Sequence, residues 1–282
     1  MKIFLMSLIA LMSGGCASAS TFKTGTTAID YHESGNANGV PVVFVHAFPL
    51  NQAMWADQIL ALDSTARVLT FDIRGLGKSE LNGPYTLEFV VDDLIALLDR
   101  LKIKKAVVVG LSMGGFVAIR AVERNPERFL GLVLADTKAA SDSDHSKLGR
   151  YKSLKAIQEN GLSAFIDSFL KTSFMKVPDL EKRPYFIKAT EIANHNTAMG
   201  VSAALLALTS RTDTTDDLKN INIPTLILHG EFDGVIQESD AEILHNQIKN
   251  SDLFIVPNAG HLSNLENPDF FNDHLTKFIK SL

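Results

Sequence analysis

The stretch "VVVGLSMGGF" (residues 107–116) runs from a valine-rich segment into a serine that is surrounded by glycines. Gly110 and Gly114 flank Ser112 in the pattern G-x-S-x-G, after an apolar run and before the helix-like segment 114–129. In that context the pattern predicts a sharp strand-to-helix turn that presents the serine hydroxyl as a nucleophile. The simpler interpretation is a tight turn that contains a serine by chance, and the rest of the chain must distinguish the two.

Outward from this stretch, strand-like and helix-like segments alternate along the chain. Valine-rich runs typical of strands buried on both faces cover residues 41–48, 66–75, 104–112, 129–136, 224–233 and 251–260. Helical patterns cover 86–101, 239–248 with Ser239 as its N-cap, and 267–282 with Asn267 as N-cap and Pro268 in the first turn. This alternation predicts an α/β fold with a mostly parallel sheet and helices on both faces.

One long segment departs from the alternation. Residues 137–223 are mainly polar and helical and contain no convincing strand, so we interpret them as a helical cap inserted into the sheet. The core then consists of residues 21–136 and 224–282. The cap contributes seven large side chains that could line a substrate pocket, although at helical spacing such residues more often form the cap's own core: Phe165, Phe169, Phe174, Met175, Tyr185, Phe186 and Met199.

Composition narrows the classes of function. The 282 residues are 46% hydrophobic with a net charge of −5, which predicts a globular domain and disfavours an extended nucleic-acid-binding surface. Cys16 is the only cysteine, so a mature domain that begins after it has no disulfide and no cysteine nucleophile.

The N-terminus has the layout of a signal peptide, which we assign to residues 1–20. Lys2 precedes a short apolar run, which is followed by small residues. Cleavage before Cys16 would produce a lipoprotein attached to a membrane, and cleavage before Ser20 would follow the A-x-A pattern at Ala17–Ala19. The single cysteine favours the first. We therefore expect an exported protein, either periplasmic or anchored to a membrane through lipidated Cys16, and otherwise secreted.

A nucleophilic serine needs a base and an acid that orients the base. His261 follows the last predicted strand, at the same sheet edge as Ser112, and Asp233 follows the preceding strand. Asp136, at the end of an earlier strand, is the competing acid, and "GEFDGV" (230–235) favours Asp233. The order Ser112, Asp233, His261 is typical of hydrolases rather than of either protease order.

The tetrahedral intermediate of acyl transfer also needs hydrogen-bond donors. The backbone N–H of Met113 follows the nucleophile, and that of Phe48 lies in "HAFPL" (46–50), after the first buried strand. His46, in that loop, is interpreted as structural. His229, before a glycine at the end of a later buried strand, is interpreted as a packing residue. No phosphate-binding loop or metal-ligand cluster is evident, so we expect no cofactor and no metal.

Together "HAFP", "FDIRGLGKS" (71–79), "GLSMGG", "GEFDGV" and "NAGHLSNLENP" (258–268) resemble the α/β-hydrolase superfamily across nearly all of residues 21–282. Within it the chain is most similar to lid-bearing esterases and 3-oxoadipate enol-lactonases, and it departs from them at Ala47, where glycine is usual. The resemblance implies a serine hydrolase acting on a small carboxylic ester or lactone. A lactonase of the enol-lactonase type is the first alternative, and a ligand-binding protein with little turnover is the second.

Overall fold

A computed structural model describes residues 18–282. Cys16 and the predicted signal peptide up to residue 17 lie outside the described residues, and the predicted boundary after residue 20 stays a prediction. Within residues 18–282, no helix has both the length and the apolar character needed to cross a bilayer.

A single eight-stranded sheet forms the centre of the molecule, in the order β1-β2-β4-β3-β5-β6-β7-β8. The strands are β1 (Ser18–Thr24), β2 (Thr27–Gly35), β3 (Val40–Val45), β4 (Ala66–Phe71), β5 (Ala106–Leu111), β6 (Phe129–Ala135), β7 (Thr225–Gly230) and β8 (Ser251–Val256). Strands β3 to β8 are parallel, whereas β2 is antiparallel to both of its neighbours. This arrangement confirms the predicted α/β fold with a mostly parallel sheet.

Helices connect the strands and cover the sheet. They are α1 (Ala56–Leu62), α2 (Leu87–Arg100), α3 (Met113–Arg124), α4 (Asp144–Asn160), α5 (Leu162–Ser173), α6 (Pro184–Asn194), α7 (Ala198–Thr209), α8 (Glu238–Gln247), α9 (Ser263–Glu266) and α10 (Pro268–Ser281). Every residue of β5 and β7 is buried, which requires cover on both faces and explains why these strands are continuous apolar runs. Because β3 to β8 are parallel, their carboxyl ends lie at the same edge of the sheet, and the loops that follow these strands meet there.

The two predicted N-caps have different outcomes. Asn267 caps α10 as predicted: its side chain accepts a hydrogen bond from the Phe270 N–H, and Pro268 follows it. The prediction of Ser239 as a cap is wrong, because α8 begins at Glu238 and is capped by Gln237. The Gln237 side chain and the Asp240 carboxylate exchange hydrogen bonds with each other's backbone, and this capping box places the N-cap two residues upstream of the serine.

Helices α4 to α7 lie between β6 and β7, within the segment 137–223 predicted to be a helical cap; no strand interrupts it in the part of the chain that the structure describes. The insertion is joined to the core by aromatic packing. Phe48, in the loop after β3, lies against Phe169 with the ring centroids 5.4 Å apart and against Phe165 at 6.2 Å. Phe165 and Phe169 both belong to α5, so the contact couples this helix of the insertion to the loop edge of the sheet.

Candidate active site

Ser112 occupies a strained turn between β5 and α3. Its backbone has φ 54° and ψ −113°, a conformation that favours glycine and is strained for a residue with a side chain, such as serine. The turn is held from both sides: the Ser112 N–H donates to the Ala135 carbonyl at 2.9 Å, and the Thr137 hydroxyl donates to the Ser112 carbonyl at 2.8 Å. A chance serine would not need this conformation, so the geometry favours the nucleophile interpretation.

The flanking glycines are there because the chain segments approach too closely for a side chain. A Cβ on Gly114 would lie 2.0 Å from the Val45 carbonyl oxygen, and one on Gly110 would lie 2.2 Å from the Gly114 carbonyl oxygen. These contacts press the first turn of α3 against the end of β3. The loop that contains Phe48 is thereby brought next to the serine.

Ser112, His261 and Asp233, which the sequence predicts to act together, form a continuous chain of hydrogen bonds. The Ser112 Oγ lies 2.8 Å from His261 Nε2, and His261 Nδ1 lies 2.8 Å from Asp233 Oδ2. The His261 side chain is 1% exposed and that of Asp233 is fully covered, so both hydrogen bonds are shielded from water. An imidazole held in this way accepts the hydroxyl proton at one nitrogen while the carboxylate fixes the other.

The protein environment stabilises the charged forms of the pair. Burial alone would lower the pKa of His261, but attraction to Asp233 and the hydrogen bond to it raise that pKa above its usual value. Burial alone would raise the pKa of Asp233, but His261 lowers it, and its Oδ1 also accepts hydrogen bonds from the Val235 and Ile236 N–H groups at 2.7 and 3.0 Å. The carboxylate is therefore ionised and oriented.

Asp136, the competing acid, lies beside this pair but does not contact the imidazole. Its carboxylate accepts hydrogen bonds from the Gly230 N–H at 2.8 Å and from the Ser263 hydroxyl at 2.6 Å. Burial and the neighbouring Asp233 raise the pKa of Asp136 to about 8. Asp136 therefore ionises less readily than Asp233, which lets two carboxyl groups share one buried site.

Asp136, His229 and Asp233 are the one group of potential metal ligands that lie together among residues 18–282, each with a donor atom within 4.8 Å of the others. His229 is 2% exposed, burial lowers its pKa, and its Nδ1 has no partner there. The carboxylate oxygens are already engaged by His261 and by backbone or hydroxyl donors, so a metal would have to break the hydrogen bond to the imidazole. We therefore assign the group to the support of His261.

Both predicted oxyanion donors are near the nucleophile. Met113 is the first residue of α3, and Phe48 lines the same cavity as Ser112 and His261. In the described part of the chain neither backbone N–H has a hydrogen-bond acceptor, as expected for donors that await a ligand. His46 holds the loop, since its Nε2 accepts from the Ile73 N–H at 2.9 Å while its Nδ1 lies 3.0 Å from the Ala47 carbonyl.

A cavity of about 210 Å³ opens on Ser112 and His261. Of the seven large cap residues that the sequence singles out, only Phe169 lines it. Phe174 packs instead against Tyr185 and Phe186, with ring centroids 5.3 and 5.6 Å apart, and Met199 is 74% exposed. The cap aromatics are thus mainly cap core, as their helical spacing indicated.

The loop that carries His261 is tied to the insertion. The His261 N–H donates to the Ser173 carbonyl at 2.7 Å. The Glu266 carboxylate accepts from the Met175 N–H at 2.8 Å and from the Gly260 N–H at 2.7 Å. Burial raises the pKa of Glu266 to about 7, despite these two hydrogen bonds.

Sequence reasoning missed four charged residues of this region: Lys138, Asp142, Arg150 and Glu266. The first three line the cavity from the start of the insertion, where Lys138 and Asp142 lie in a segment that reads as a polar loop and Arg150 in one that reads as a polar helix. Glu266 lies in "NAGHLSNLENP", five residues after His261, and this proximity was the clue available in the sequence. Its partners are 6 and 91 residues away, so no local pattern could identify them.

Comparison with known proteins agrees with this geometry. Residues 40–268 match a protein family described as having the alpha/beta hydrolase fold. The chain is 31% identical over 249 residues to 3-oxoadipate enol-lactonase 1 of Acinetobacter baylyi, covering 88% of this chain and 92% of that relative.

Among solved structures, a thermophilic esterase from Thermogutta terrifontis with bound malate is similar with a TM-score of 0.86 and 30% identity, over 94% of this chain and 98% of that one. The enol-lactonase from Burkholderia xenovorans is also similar, with a TM-score of 0.86 and 27% identity, over 93% of this chain and 100% of that one.

Proposed function

The chain belongs to the alpha/beta hydrolase fold family, and from this premise we propose that it is a serine hydrolase that cleaves a small carboxylic ester or lactone. The observation that carries the proposal is the pair of 2.8 Å hydrogen bonds that link Ser112 to His261 and His261 to Asp233. The esterase and lactonase names of its relatives support the same class of reaction.

In the proposed mechanism the Ser112 Oγ attacks the substrate carbonyl carbon while His261 Nε2 takes the hydroxyl proton. Asp233 holds the Nδ1–H and stabilises the imidazolium that forms. The Met113 and Phe48 N–H groups donate to the oxyanion, where each such donor contributes about 3–4 kcal/mol to lowering the barrier. Collapse of the intermediate breaks the ester C–O bond, and His261 passes its proton to the leaving oxygen.

The acyl group is then bonded to Ser112, and the second half of the reaction repeats the first with water as the nucleophile. His261 takes a proton from water as its oxygen attacks the acyl carbonyl, and returns the proton to Ser112 when the acid leaves. For a lactone the leaving oxygen remains attached to the acyl chain, so a single hydroxy acid is the product. The buried His261 and the small cavity suit both cases.

Two alternatives remain for the same site. The enol-lactonase names of the relatives favour a lactone as substrate, whereas the predicted export signal argues against an enzyme of a cytoplasmic pathway. A ligand-binding protein with little turnover would not need a strained nucleophile and a fully covered acid, so the geometry supports catalysis more strongly.

The direct test is hydrolysis of p-nitrophenyl esters of increasing acyl length, together with simple lactones, by the protein and its Ser112→Ala variant. Ser168→Ala, at an exposed position of α5 outside the cavity, is the matched control. We expect turnover to vanish with Ser112→Ala alone, and we expect a fluorophosphonate to phosphonylate the Ser112 Oγ with loss of fluoride. Turnover that survives in Ser112→Ala would refute the mechanism.

We also propose that the protein is exported and attached to a membrane through lipidated Cys16, on the basis of the N-terminal sequence. Mass spectrometry of the N-terminus of the membrane-bound protein tests this, with Cys16→Ala as the comparison. A diacylated N-terminal cysteine supports the proposal, and a mature protein that begins at Ser20 contradicts it.

A further inference from the structure

The cavity above the nucleophile combines an apolar wall with charged groups from the insertion. The apolar wall consists of Phe48, Phe116, Phe169, Leu208, Val235 and Ile236. The charged groups that line the same cavity are Lys138, Asp142 and Arg150, so two cations face it for each anion. A cavity that only had to accept a neutral ester would not need them, because buried charges are costly unless they are paired.

The one anion in this group is already neutralised. Asp142 Oδ2 is bound by the Arg150 guanidinium, and Asp142 Oδ1 lies 3.2 Å from Arg211 Nη2. Burial would raise the pKa of Asp142, but these two arginines hold it below its usual value. Both oxygens of the carboxylate are therefore bound by arginines, and within residues 18–282 Asp142 forms no ion pair with a third cation.

Lys138 is that third cation. It is half-buried, it lines the cavity, and its amine has no hydrogen-bond or ion-pair partner within residues 18–282. It directly follows Thr137, whose hydroxyl donates to the Ser112 carbonyl at 2.8 Å, so its backbone is fixed next to the nucleophile. Two further carboxyl groups lie nearby. That of Asp233 has no exposed side-chain surface and is bound by His261, and that of Asp136 is buried and bound by Gly230 and Ser263.

We propose that Lys138 forms an anion-binding subsite and selects esters or lactones that carry a carboxylate a short distance from the reacting carbonyl. This inference rests on the proposed function of the site. The cavity volume of about 210 Å³ limits the substrate to a small molecule. A single unpaired ammonium matches a singly charged carboxylate, whereas a phosphate dianion needs more donors than Lys138 supplies.

A pair of substrates that differ only in charge tests the subsite. Monomethyl succinate carries the carboxylate, and methyl 4-oxopentanoate is its neutral counterpart, with a methyl ketone in the same place. The specificity ratio is kcat/KM for the first divided by kcat/KM for the second. We compare the unchanged protein with Lys138→Met and with Lys152→Met, which removes an exposed lysine of α4 that does not line this cavity.

We expect the unchanged protein and Lys152→Met to favour the anionic ester, and Lys138→Met to lower the ratio by about tenfold, as for loss of one charge-assisted hydrogen bond. Lys138→Glu should lower the ratio further, because it repels the carboxylate. A structural role for Lys138 would reduce both rates together and leave the ratio where it was. A ratio that does not change in either Lys138 variant overturns the subsite while leaving the serine mechanism intact.

Binding in the absence of turnover separates the subsite from the proposed function. Calorimetric titration of monomethyl succinate into Ser112→Ala and into the double variant Ser112→Ala/Lys138→Met measures the subsite even if no ester is hydrolysed. A dissociation constant that rises about tenfold in the double variant supports the subsite. Equal affinities in the two proteins, or no binding to either, overturn it.

Discussion

Asp233 and Asp136 have carboxylate oxygens within 4.8 Å of each other, yet only Asp233 accepts the hydrogen bond from His261 Nδ1. The difference lies in their other partners. Asp136 is held by the Gly230 N–H and by Ser263, which direct its oxygens away from the imidazole, while the Val235 and Ile236 N–H groups leave Asp233 Oδ2 free for it. Of the two acids at neighbouring strand ends, Asp233 therefore orients the imidazole and Asp136 binds the surrounding backbone and Ser263.

The first prediction concerns these two acids. Asp233→Asn should lower kcat by about a thousandfold or more, because an amide no longer stabilises the imidazolium and can hold the wrong tautomer. Asp136→Asn changes a carboxyl group that does not contact the imidazole and should cost much less. Steady-state kinetics on one activated ester checks the ranking, and the reverse order would make Asp136 the catalytic acid.

The pH profile provides a second prediction. The base must be neutral to accept a proton, so activity is lost as pH falls through the pKa of His261. Because Asp233 raises that pKa above its ordinary value of 6.5, the acidic limb of kcat/KM should lie above pH 6.5. In Asp233→Asn burial remains without the compensating charge, so the limb should move to lower pH.

Profiles of kcat/KM between pH 4 and 9 test this shift, with Asp252→Asn at an exposed position of β8 as the control. The control should keep the limb of the unchanged protein. A limb at or below 6.5 in the unchanged protein would show that Asp233 does not dominate the environment of His261.

A third prediction concerns Glu266. Its pKa is about 7 in the folded protein against 4.5 as the ordinary value, so between these pH values the folded state binds the proton that the unfolded chain has released. Stability from this group is fully present below pH 4.5 and is lost as pH rises towards 7, by on the order of 1–3 kcal/mol.

Glu266→Gln should flatten that pH dependence. At pH 5 it should also lower the free energy of unfolding by about 1–2 kcal/mol, because the amide NH2 would face one of the Met175 and Gly260 N–H groups, where the protonated carboxyl group presents an oxygen. Denaturant unfolding at pH 5, 6 and 7 measures both effects. Glu242→Gln, at an exposed position of α8, is the control and should keep the original slope.

The fourth prediction compares two glycines. Gly114→Ala should destabilise the protein by at least about 2 kcal/mol and abolish activity, because its Cβ would lie 2.0 Å from the Val45 carbonyl oxygen. Gly149→Ala, inside α4 with nothing within 4 Å of its Cβ, should stabilise the protein by about 0.5–1 kcal/mol. Thermal unfolding of both variants checks the opposite signs, and a tolerated Gly114→Ala would mean that the turn at Ser112 is less constrained than its contacts indicate.

The central sheet and the meeting of Ser112, Asp233 and His261 could be predicted because each rests on a local signal. Continuous valine-rich runs identify strands covered on both faces, and parallel strands bring their carboxyl ends to one edge. The β1–β2 pair carries no such signal, since its alternating, polar residues resemble a loop region. Lys138 and Glu266 acquire their surroundings only from residues far away in the chain, which no spacing rule encodes.

The hydrogen bond from the His261 N–H to the Ser173 carbonyl limits which insertions can replace residues 137–223 without displacing His261. His261, the proposed catalytic base, is anchored in part to the insertion, so core and insertion are not independent modules. A chimaera that exchanges residues 137–223 for the corresponding segment of a relative must also supply a carbonyl at the position of Ser173 and an N–H at that of Met175. Substrate preference is therefore changed more simply by substituting single side chains of the cavity wall. Replacing the whole insertion would alter the position of His261 as well as the cavity.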